Sequence, residues 1–192
     1  MAIQCVRPSN EVRESKAFEA PINFMEPQVA IASSCWSAAD CTSNLLVTKP
    51  LSICLDLEDL RCFEVVDDQF QHHGITLKNA IALQPSNPAY PPRSGNTVLM
   101  GAPKSGWLEA TFSKPICKFC CYVTSSQRMI LSAYDSQDKL LVRQSLSVPN
   151  LAGFDDKLPP NAQLIIEEPN ISRITFYAFD GQLTLDDLSF DF

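Results

Sequence analysis

Two adjacent carboxylates near the end of the sequence, Asp186 and Asp187, are the residues best placed to do chemistry. Before them, Leu183 and Leu185 alternate with polar residues, which is the period of a half-buried strand. After them, the apolar residues return on the opposite parity, at Leu188, Phe190 and Phe192. A slip of one residue inside a strand is what a β-bulge produces. Two carboxylates at such a bend, beside freed carbonyl oxygens, predict a site for a hard cation.

The cysteines offer a second possible site, because Cys117, Cys120 and Cys121 stand close together. The surrounding ICKFCCYV alternates as a strand, so Cys117 and Cys121 face one way and Cys120 the other. A zinc site needs a tight turn between its cysteines, and Lys118-Phe119 is a poor turn. The chain is also larger than disulfide scaffolds and has an apolar complement of its own. We therefore predict reduced cysteines that serve as small core residues.

Catalytic signatures are missing from the sequence. It holds no Gly-x-Ser-x-Gly, no phosphate-binding loop, no dinucleotide fingerprint and no cysteine with an evident histidine partner. Glu167 and Glu168 point to opposite faces of a strand, so adjacency does not make them a two-carboxylate glycosidase site. The sequence therefore predicts a protein that is not an enzyme.

Size and charge narrow the function further. A chain of 192 residues with 45% hydrophobic content suits one domain with a sizeable core. Its formal net charge of -7 argues against nucleic acid as a partner, because phosphate binding needs a basic surface. Acids outnumber bases in 51–75 and in 151–192, whereas bases outnumber acids between them. A sandwich often brings such first and last segments side by side, where acids form either a solvated face or a cation site.

The sequence shows neither an export signal nor an apolar run of the ~20 residues that a membrane span needs. This predicts a protein that is cytoplasmic as numbered, or extracellular if a leader has been removed.

Strand patterns divide the chain into an N-terminal arm or linker at 1–49, which can include a short helix, and a domain at 50–192. In the domain, LSICLDLE places four apolar residues on one face, namely Leu51, Ile53, Leu55 and Leu57. WLEATF and ICKFCCYV follow as two strands split by Ser113-Lys114-Pro115, and AQLIIEE and RITFYAF come later. Eight to ten short strands with turns between them predict an all-β, antiparallel β-sandwich.

The order of several motifs resembles a galactose-binding-like jelly roll, the fold of many carbohydrate-binding modules. These motifs are LDLEDL, DDQFQHHGITLKNA, the step from Phe112 to Ile116, ILSAYDSQDKLL and LTLDDLSF. Similar domains are bacterial and are often attached to surface-sorting tails. The resemblance implies a structural calcium between the first and last strands. Its ligands would come from Asp56 or Glu58 and from Asp187 or, as second choice, Asp186.

The same resemblance implies a non-catalytic module that binds carbohydrate through its loops. Sugar binding needs exposed aromatic rings beside planar polar groups. The predicted ligand-binding residues are Tyr90, Arg93, Asn96 and Trp107, with Tyr134 and Phe154 as further aromatic candidates. Tyr90 lies in a Pro-rich loop and is expected to be the most exposed, whereas Trp107 starts a strand and suits the core as well. The alternative is a cytoplasmic protein-interaction or assembly domain with the same fold.

Overall fold

The computed structural model describes residues 51–101, 106–153 and 158–192. The predicted N-terminal arm at 1–49 and the candidate Phe154 lie outside the described residues. In those residues no helix has the length and hydropathy needed to cross a bilayer.

Ten strands and one short 3-10 helix, Gln71–His73, make up the regular structure of the described residues. The strands are β1 Ser52–Cys54, β2 Val65–Val66, β3 Ile75–Lys78, β4 Ala80–Leu83, β5 Val98–Gly101, β6 Trp107–Ser125, β7 Met129–Tyr134, β8 Leu140–Leu146, β9 Ala162–Ala178 and β10 Leu183–Asp191.

All strand pairs are antiparallel and belong to one hydrogen-bonded network, which folds over into two layers. The first layer runs β3, the first half of β6, the second half of β9, β7 and β8. The second layer runs β2, β4, β5, β10, the second half of β6 and the first half of β9, with β1 also paired to β10. The predicted antiparallel β-sandwich is confirmed.

Two long strands join the layers, where the sequence predicts pairs of shorter ones. The pairing of β6 with β9 shifts register between Thr111 and Ile116, around Pro115. The facing bend of β9 holds Pro169 and Asn170, and Asn170 has a left-handed φ of 66°. Proline removes a ladder donor and marks irregular positions in a sheet, so it ends regular pairing here without ending the strand.

The core lies between the layers and is rich in phenylalanine. Phe119 and Phe176 are fully buried, and their ring centroids are 6.1 Å apart. Phe112 and Phe190 approach to 5.1 Å. These rings come from β6, β9 and β10, the strands at the centre of the network. Because side chains alternate between the two faces of a strand, the inward-facing residues of these strands form the core.

Sequence predictions of side-chain burial are wrong in the first strand and in the cysteine cluster. Leu51, which precedes β1, is 63% exposed, whereas Leu55 and Leu57 are buried as predicted. In the cysteine cluster Cys121 is buried, but Cys117 is exposed and Cys120 is half-buried. The register shift between Ile116 and Lys118 turns Cys117 away from the core.

Candidate functional site

The first and last strands lie side by side and form one wall of a groove. Ile53 on β1 is the partner of Phe190 on β10, and the Leu55 N–H donates to the Leu188 carbonyl at 2.9 Å. The groove has a volume of about 550 Å³. All four acids of the predicted cation site line it, namely Asp56, Glu58, Asp186 and Asp187. We call it the acidic groove.

The β-bulge predicted from the parity slip is present in β10. Pairing with β6 shifts register between Asp186 and Ser189, and Asp187 has a left-handed φ of 46°. Leu185 before the bulge and Leu188 after it are both buried in the core. The inserted residue therefore leaves both carboxylates on the outer side of the second layer.

Asp186 is 3% exposed, and its carboxylate accepts three backbone N–H donors. Oδ2 accepts from Arg93 at 2.6 Å and from Ser94 at 3.2 Å. Oδ1 accepts from the Asp187 N–H at 2.8 Å. Burial raises the pKa of Asp186 above its usual value, the three N–H donors oppose this rise, and the charge of Asp187 adds to it. Asp186 thus fixes the start of the 93–97 loop to β10.

Glu58 fixes the other end of that loop. Its Oε1 accepts the N–H of Asn96 at 2.9 Å and the N–H of Thr97 at 2.8 Å. Between the two carboxylates stands Gly95, whose φ of 54° is left-handed and where an added Cβ would lie 2.4 Å from Glu58 Oε1. Glycine is the residue that adopts this backbone freely and leaves room for the carboxylate. Asp186 and Glu58 therefore hold the two ends of this loop through hydrogen bonds to its backbone. We call these two carboxylates and their N–H donors the clasp.

The fit of this groove to calcium can be judged from the same contacts. In the part of the chain that the structure describes, no group of three or more His, Cys, Asp or Glu side chains could hold a metal as placed. N–H donors point at both oxygens of Asp186, and a cation cannot take positions that positive N–H groups already occupy. Three of the roughly four lone-pair sites of Asp186 are thereby taken, which makes it the least suited of the four acids as a ligand. Calcium stays a prediction for this groove, with Asp56, Glu58 and Asp187 as the better placed ligands.

Arg93 and Asn96, predicted as sugar-binding residues, are brought to this groove by the clasp. Both are exposed, and their backbone N–H groups serve the two carboxylates. The Arg93 guanidinium lies 4.7 Å from the centroid of the Tyr122 ring, which lines the groove. Sequence reasoning missed Tyr122, although the alternation in ICKFCCYV places it on the outer side beside Cys120.

Tyr90 is not the exposed platform that the sequence predicts, because it is only 8% exposed. It lines a small pocket of about 110 Å³ whose apolar wall includes Leu83 and Met100. The Pro-rich loop around it lies on the second layer, since Asn161 Nδ2 donates to the Pro91 carbonyl at 3.0 Å. The prolines correctly predicted a loop. They did not indicate that this loop would fold back on its own sheet.

Exposed aromatic rings occur instead on the outer face of the first layer. Tyr177 on β9 is the register partner of Trp107 on β6 and of Ile130 on β7. We call this line of three residues the aromatic row, after its tryptophan and tyrosine. Tyr177 is 39% exposed, and its ring centroid is 4.7 Å from that of Phe179. The Arg128 guanidinium stacks on Phe179 at 4.3 Å. Trp107 is half-buried, and it lies apart from the acidic groove.

A row of polar side chains runs beside the aromatic row, across all five strands of the first layer. This polar row consists of Lys78, Glu109, Thr175, Ser132 and Arg143. Glu109 is 6% exposed and accepts from Lys78 Nζ and from Arg173 Nη1, both at 3.1 Å. Two cations thus compensate the burial of this carboxylate and hold it in place.

A second aromatic station lies beyond the polar row. Tyr134 is the register partner of Arg173, whose guanidinium stacks on the Tyr134 ring at 4.2 Å. Tyr177 and Arg173 are four residues apart on β9, which places the two stations roughly 13 Å apart. Of the aromatic candidates, the structure places Trp107 and Tyr134 on this face. Sequence reasoning missed Tyr177, which the alternation in RITFYAF sets opposite to the core residue Phe176.

No protein-family model matches this chain, and no curated protein matches it either. Among solved structures, a DUF4465 family protein from Bacteroides caccae is 10% identical, with a TM-score of 0.41 over 78% of this chain and 96% of its own. A family 29 carbohydrate-binding module complexed with mannohexaose is 8% identical, with a TM-score of 0.38 over 60% of this chain and 77% of its own. A family 29 module from Piromyces equi is 9% identical, with a TM-score of 0.36 over 62% and 80%. These values are too low to carry a ligand or a function over to this chain.

Proposed function

We propose that this chain is a non-catalytic carbohydrate-binding module that holds a glycan on the outer face of its first layer. One observation carries the proposal. Trp107 and Tyr177 stand in direct register on neighbouring strands, on the outer face and next to the polar row.

The chemistry of this face suits a sugar. A pyranose ring has an apolar face of C–H groups that stacks on an aromatic ring, and hydroxyls at its edge that need hydrogen-bonding partners. The aromatic row supplies the first of these needs. Lys78, Arg143 and the half-buried Thr175 of the polar row supply the second, while the buried Glu109 and Ser132 hold Lys78 and Arg143 through hydrogen bonds. Two aromatic stations roughly 13 Å apart along β9 suit a short oligosaccharide better than a single sugar.

The polar groups of this face are also held in place before any ligand arrives. Lys78 and Arg173 fix the Glu109 carboxylate, and strand pairing fixes Thr175 and Ser132 on either side of the same ladder. Groups that do not have to be ordered on binding cost less conformational entropy. Paired strands therefore make this face a better platform than the loops that the sequence predicts as the binding rim.

The acidic groove has a separate part in the proposal. Its carboxylates hold the 93–97 loop, and a calcium ion bound by Asp56, Glu58 and Asp187 would stabilise the sandwich at that point. Calcium accepts water and backbone carbonyl oxygens in a flexible shell, so these side chains need not supply every ligand.

The experiment is affinity electrophoresis on a panel of neutral and charged polysaccharides, followed by calorimetry on the retained ones. Trp107→Ala and Tyr177→Ala should each weaken binding by about 2 kcal/mol, or roughly 30-fold, the value of burying an aromatic side chain. The matched control is Tyr122→Ala, which removes an aromatic ring from the acidic groove on the other layer. Circular dichroism confirms that each variant is folded.

Two results would overturn the proposal. One is the absence of retention on every polysaccharide, together with capture of a stoichiometric protein partner, which would favour the assembly-domain alternative. The other is loss of binding in Tyr122→Ala with full binding in both first-layer variants, which would move the site to the acidic groove.

A further inference from the structure

The outer face of the first layer is positive, although the chain has a formal net charge of -7. Four basic side chains lie on it or at its end, namely Lys78, Arg128, Arg143 and Arg173. The carboxylates that pair with them are Glu109 and Asp138. With Asp135 and Lys139 of the same hairpin and Asp180 beside Phe179 included, five bases stand against four acids. This face is therefore slightly positive in a chain that is acidic elsewhere, and it repels an anion less than the other surfaces do.

Two of the four bases are already committed to ion pairs. Arg173 contacts Glu109 at 3.1 Å and Asp138 at 2.8 Å, and its remaining face stacks on Tyr134. Lys78 contacts Glu109. Both of these bases therefore serve to hold the polar row in place.

The other two bases, Arg128 and Arg143, are exposed, and neither lies within ion-pair distance of a carboxylate that the structure describes. The Arg143 Nε donates to Ser132 Oγ at 3.4 Å, which aims the guanidinium along the polar row and leaves its terminal nitrogens open. Arg128 is stacked on Phe179 through its flat face, so its N–H edge is open beside the aromatic row.

We propose that this face selects anionic glycans, whose carboxylate or sulfate groups are bound by Arg128 and Arg143. The inference rests on the proposed function and specifies its ligand class. Sugar rings would stack on Trp107 and Tyr177, and the acidic groups would meet guanidinium groups at the end of the aromatic row and at the β8 end of the polar row. A guanidinium presents paired N–H groups that match both carboxylate and sulfate oxygens.

The preference for anionic over neutral glycans follows from the two guanidinium groups, which a neutral polymer would leave without a charged partner. A neutral glycan lying across this face would partly desolvate two guanidinium groups without pairing either of them, and an unpaired charge at an interface is costly. An anionic glycan forms charge-assisted hydrogen bonds with the same two guanidinium groups. The committed pairs of Arg173 and Lys78 are unchanged in both cases.

The test compares two matched pairs of polymers by affinity electrophoresis and calorimetry. Polygalacturonate is set against the same polymer after reduction of its carboxyl groups, and dextran sulfate against dextran, so the two pairs separate carboxylate from sulfate. We expect retention on one or both charged polymers and at least tenfold weaker binding to their neutral counterparts. Arg128→Gln and Arg143→Gln should each weaken binding to the charged polymer about tenfold. The control is Lys118→Gln, a base on the second layer that pairs with Glu167.

The outcomes separate this inference from the proposal on which it rests. Equal binding to charged and neutral polymers, lost in Trp107→Ala, would overturn the selection for anions and keep the sugar-binding face. Binding to the charged polymers that persists in Trp107→Ala and Tyr177→Ala would be non-specific ion attraction and would overturn the inference. Absence of retention on all four polymers and on the wider panel would overturn both.

Discussion

Gly95 stands against the carboxylate of Glu58 so closely that a Cβ atom on Gly95 would lie 2.4 Å from Glu58 Oε1. The same oxygen accepts the N–H groups of Asn96 and Thr97. The loop can present both N–H groups to one oxygen because Gly95 takes a φ of 54°, where a side chain is disfavoured.

The first prediction is that Gly95→Ala destabilises the fold. The left-handed backbone costs an alanine roughly 1–2 kcal/mol, and displacing the Glu58 carboxylate from its two N–H donors costs about 1–3 kcal/mol more. Chemical denaturation measures the sum. The control is Gly153→Ala, at a φ of 74° with no atom within 4 Å of the added Cβ, which should show only the backbone cost. Equal losses in the two variants would contradict the clasp.

The second prediction concerns the two neighbouring acids, which have different roles despite their adjacency. Asp186→Asn places an NH₂ group, itself a donor, among three N–H donors, so we expect a loss of about 2 kcal/mol or more in the free energy of unfolding. With a chelator present in both measurements, Asp187→Asn loses only the negative charge beside the exposed Ser94 hydroxyl, because the amide oxygen can still accept that hydrogen bond. It should therefore cost less than about 1 kcal/mol. Denaturation of both variants checks this order, and a larger loss in Asp187→Asn would reverse our assignment.

A third prediction follows from the raised pKa of Asp186, which burial causes in the first place. A folded-state pKa above the unfolded value means that the folded state holds the proton more tightly, so this group stabilises the fold most at low pH. Its contribution falls as pH rises from the ordinary value of 3.8 through the raised pKa. Asp187→Asn removes a like charge and should lower the pKa of Asp186. Carboxyl-carbon NMR titration reads this shift, and an unchanged pKa of Asp186 would contradict the coupling.

The sequence predicted those features that a local pattern encodes. The parity slip at Asp186 and Asp187 marked the bulge, and the strand periods marked an antiparallel sandwich. The two acidic end segments were expected side by side because a sandwich often pairs its first and last strands, and β1 does pair with β10. Each of these inferences needs only the alternation or the charge of residues close in the chain.

The remaining features depend on contacts between distant residues. The sequence split β6 at Pro115, because proline usually ends a regular strand, but the strand continues around a bend into the other layer. The sequence predicted an exposed Tyr90 because loops usually lie on the surface. In the structure this loop packs on the sheet, where Asp186 accepts the N–H of Arg93. The register of Trp107 with Tyr177 is set by strand pairing across the first layer, so no local pattern in either strand reveals the aromatic row.

The fourth prediction tests calcium. A site filled at about 100 times its dissociation constant adds about 2.7 kcal/mol, which raises the melting temperature by several degrees. We expect a chelator to lower the melting temperature and added calcium to restore it. Asp187→Asn should remove this dependence, whereas Asp138→Asn, in the hairpin of the first layer, should leave it intact. Equal melting temperatures with chelator and with calcium would contradict calcium binding in the acidic groove.

The fifth prediction concerns the thiols of the acidic groove, Cys54 and Cys120. Both are register partners of Ser189, one on each side of β10, so their Cα atoms are two strand spacings or roughly 9.5 Å apart. That distance exceeds the reach of a disulfide, and burial and nearby carboxylates such as Asp187 raise the pKa of the Cys54 thiol. We expect native alkylation under non-reducing conditions to label both thiols, and Cys54 slowly, with faster labelling of Cys54 at higher pH. Buried Cys121 is the internal control and should react only after denaturation. A mass spectrum showing Cys54 linked to Cys120 would mean that β10 does not separate these strands in solution.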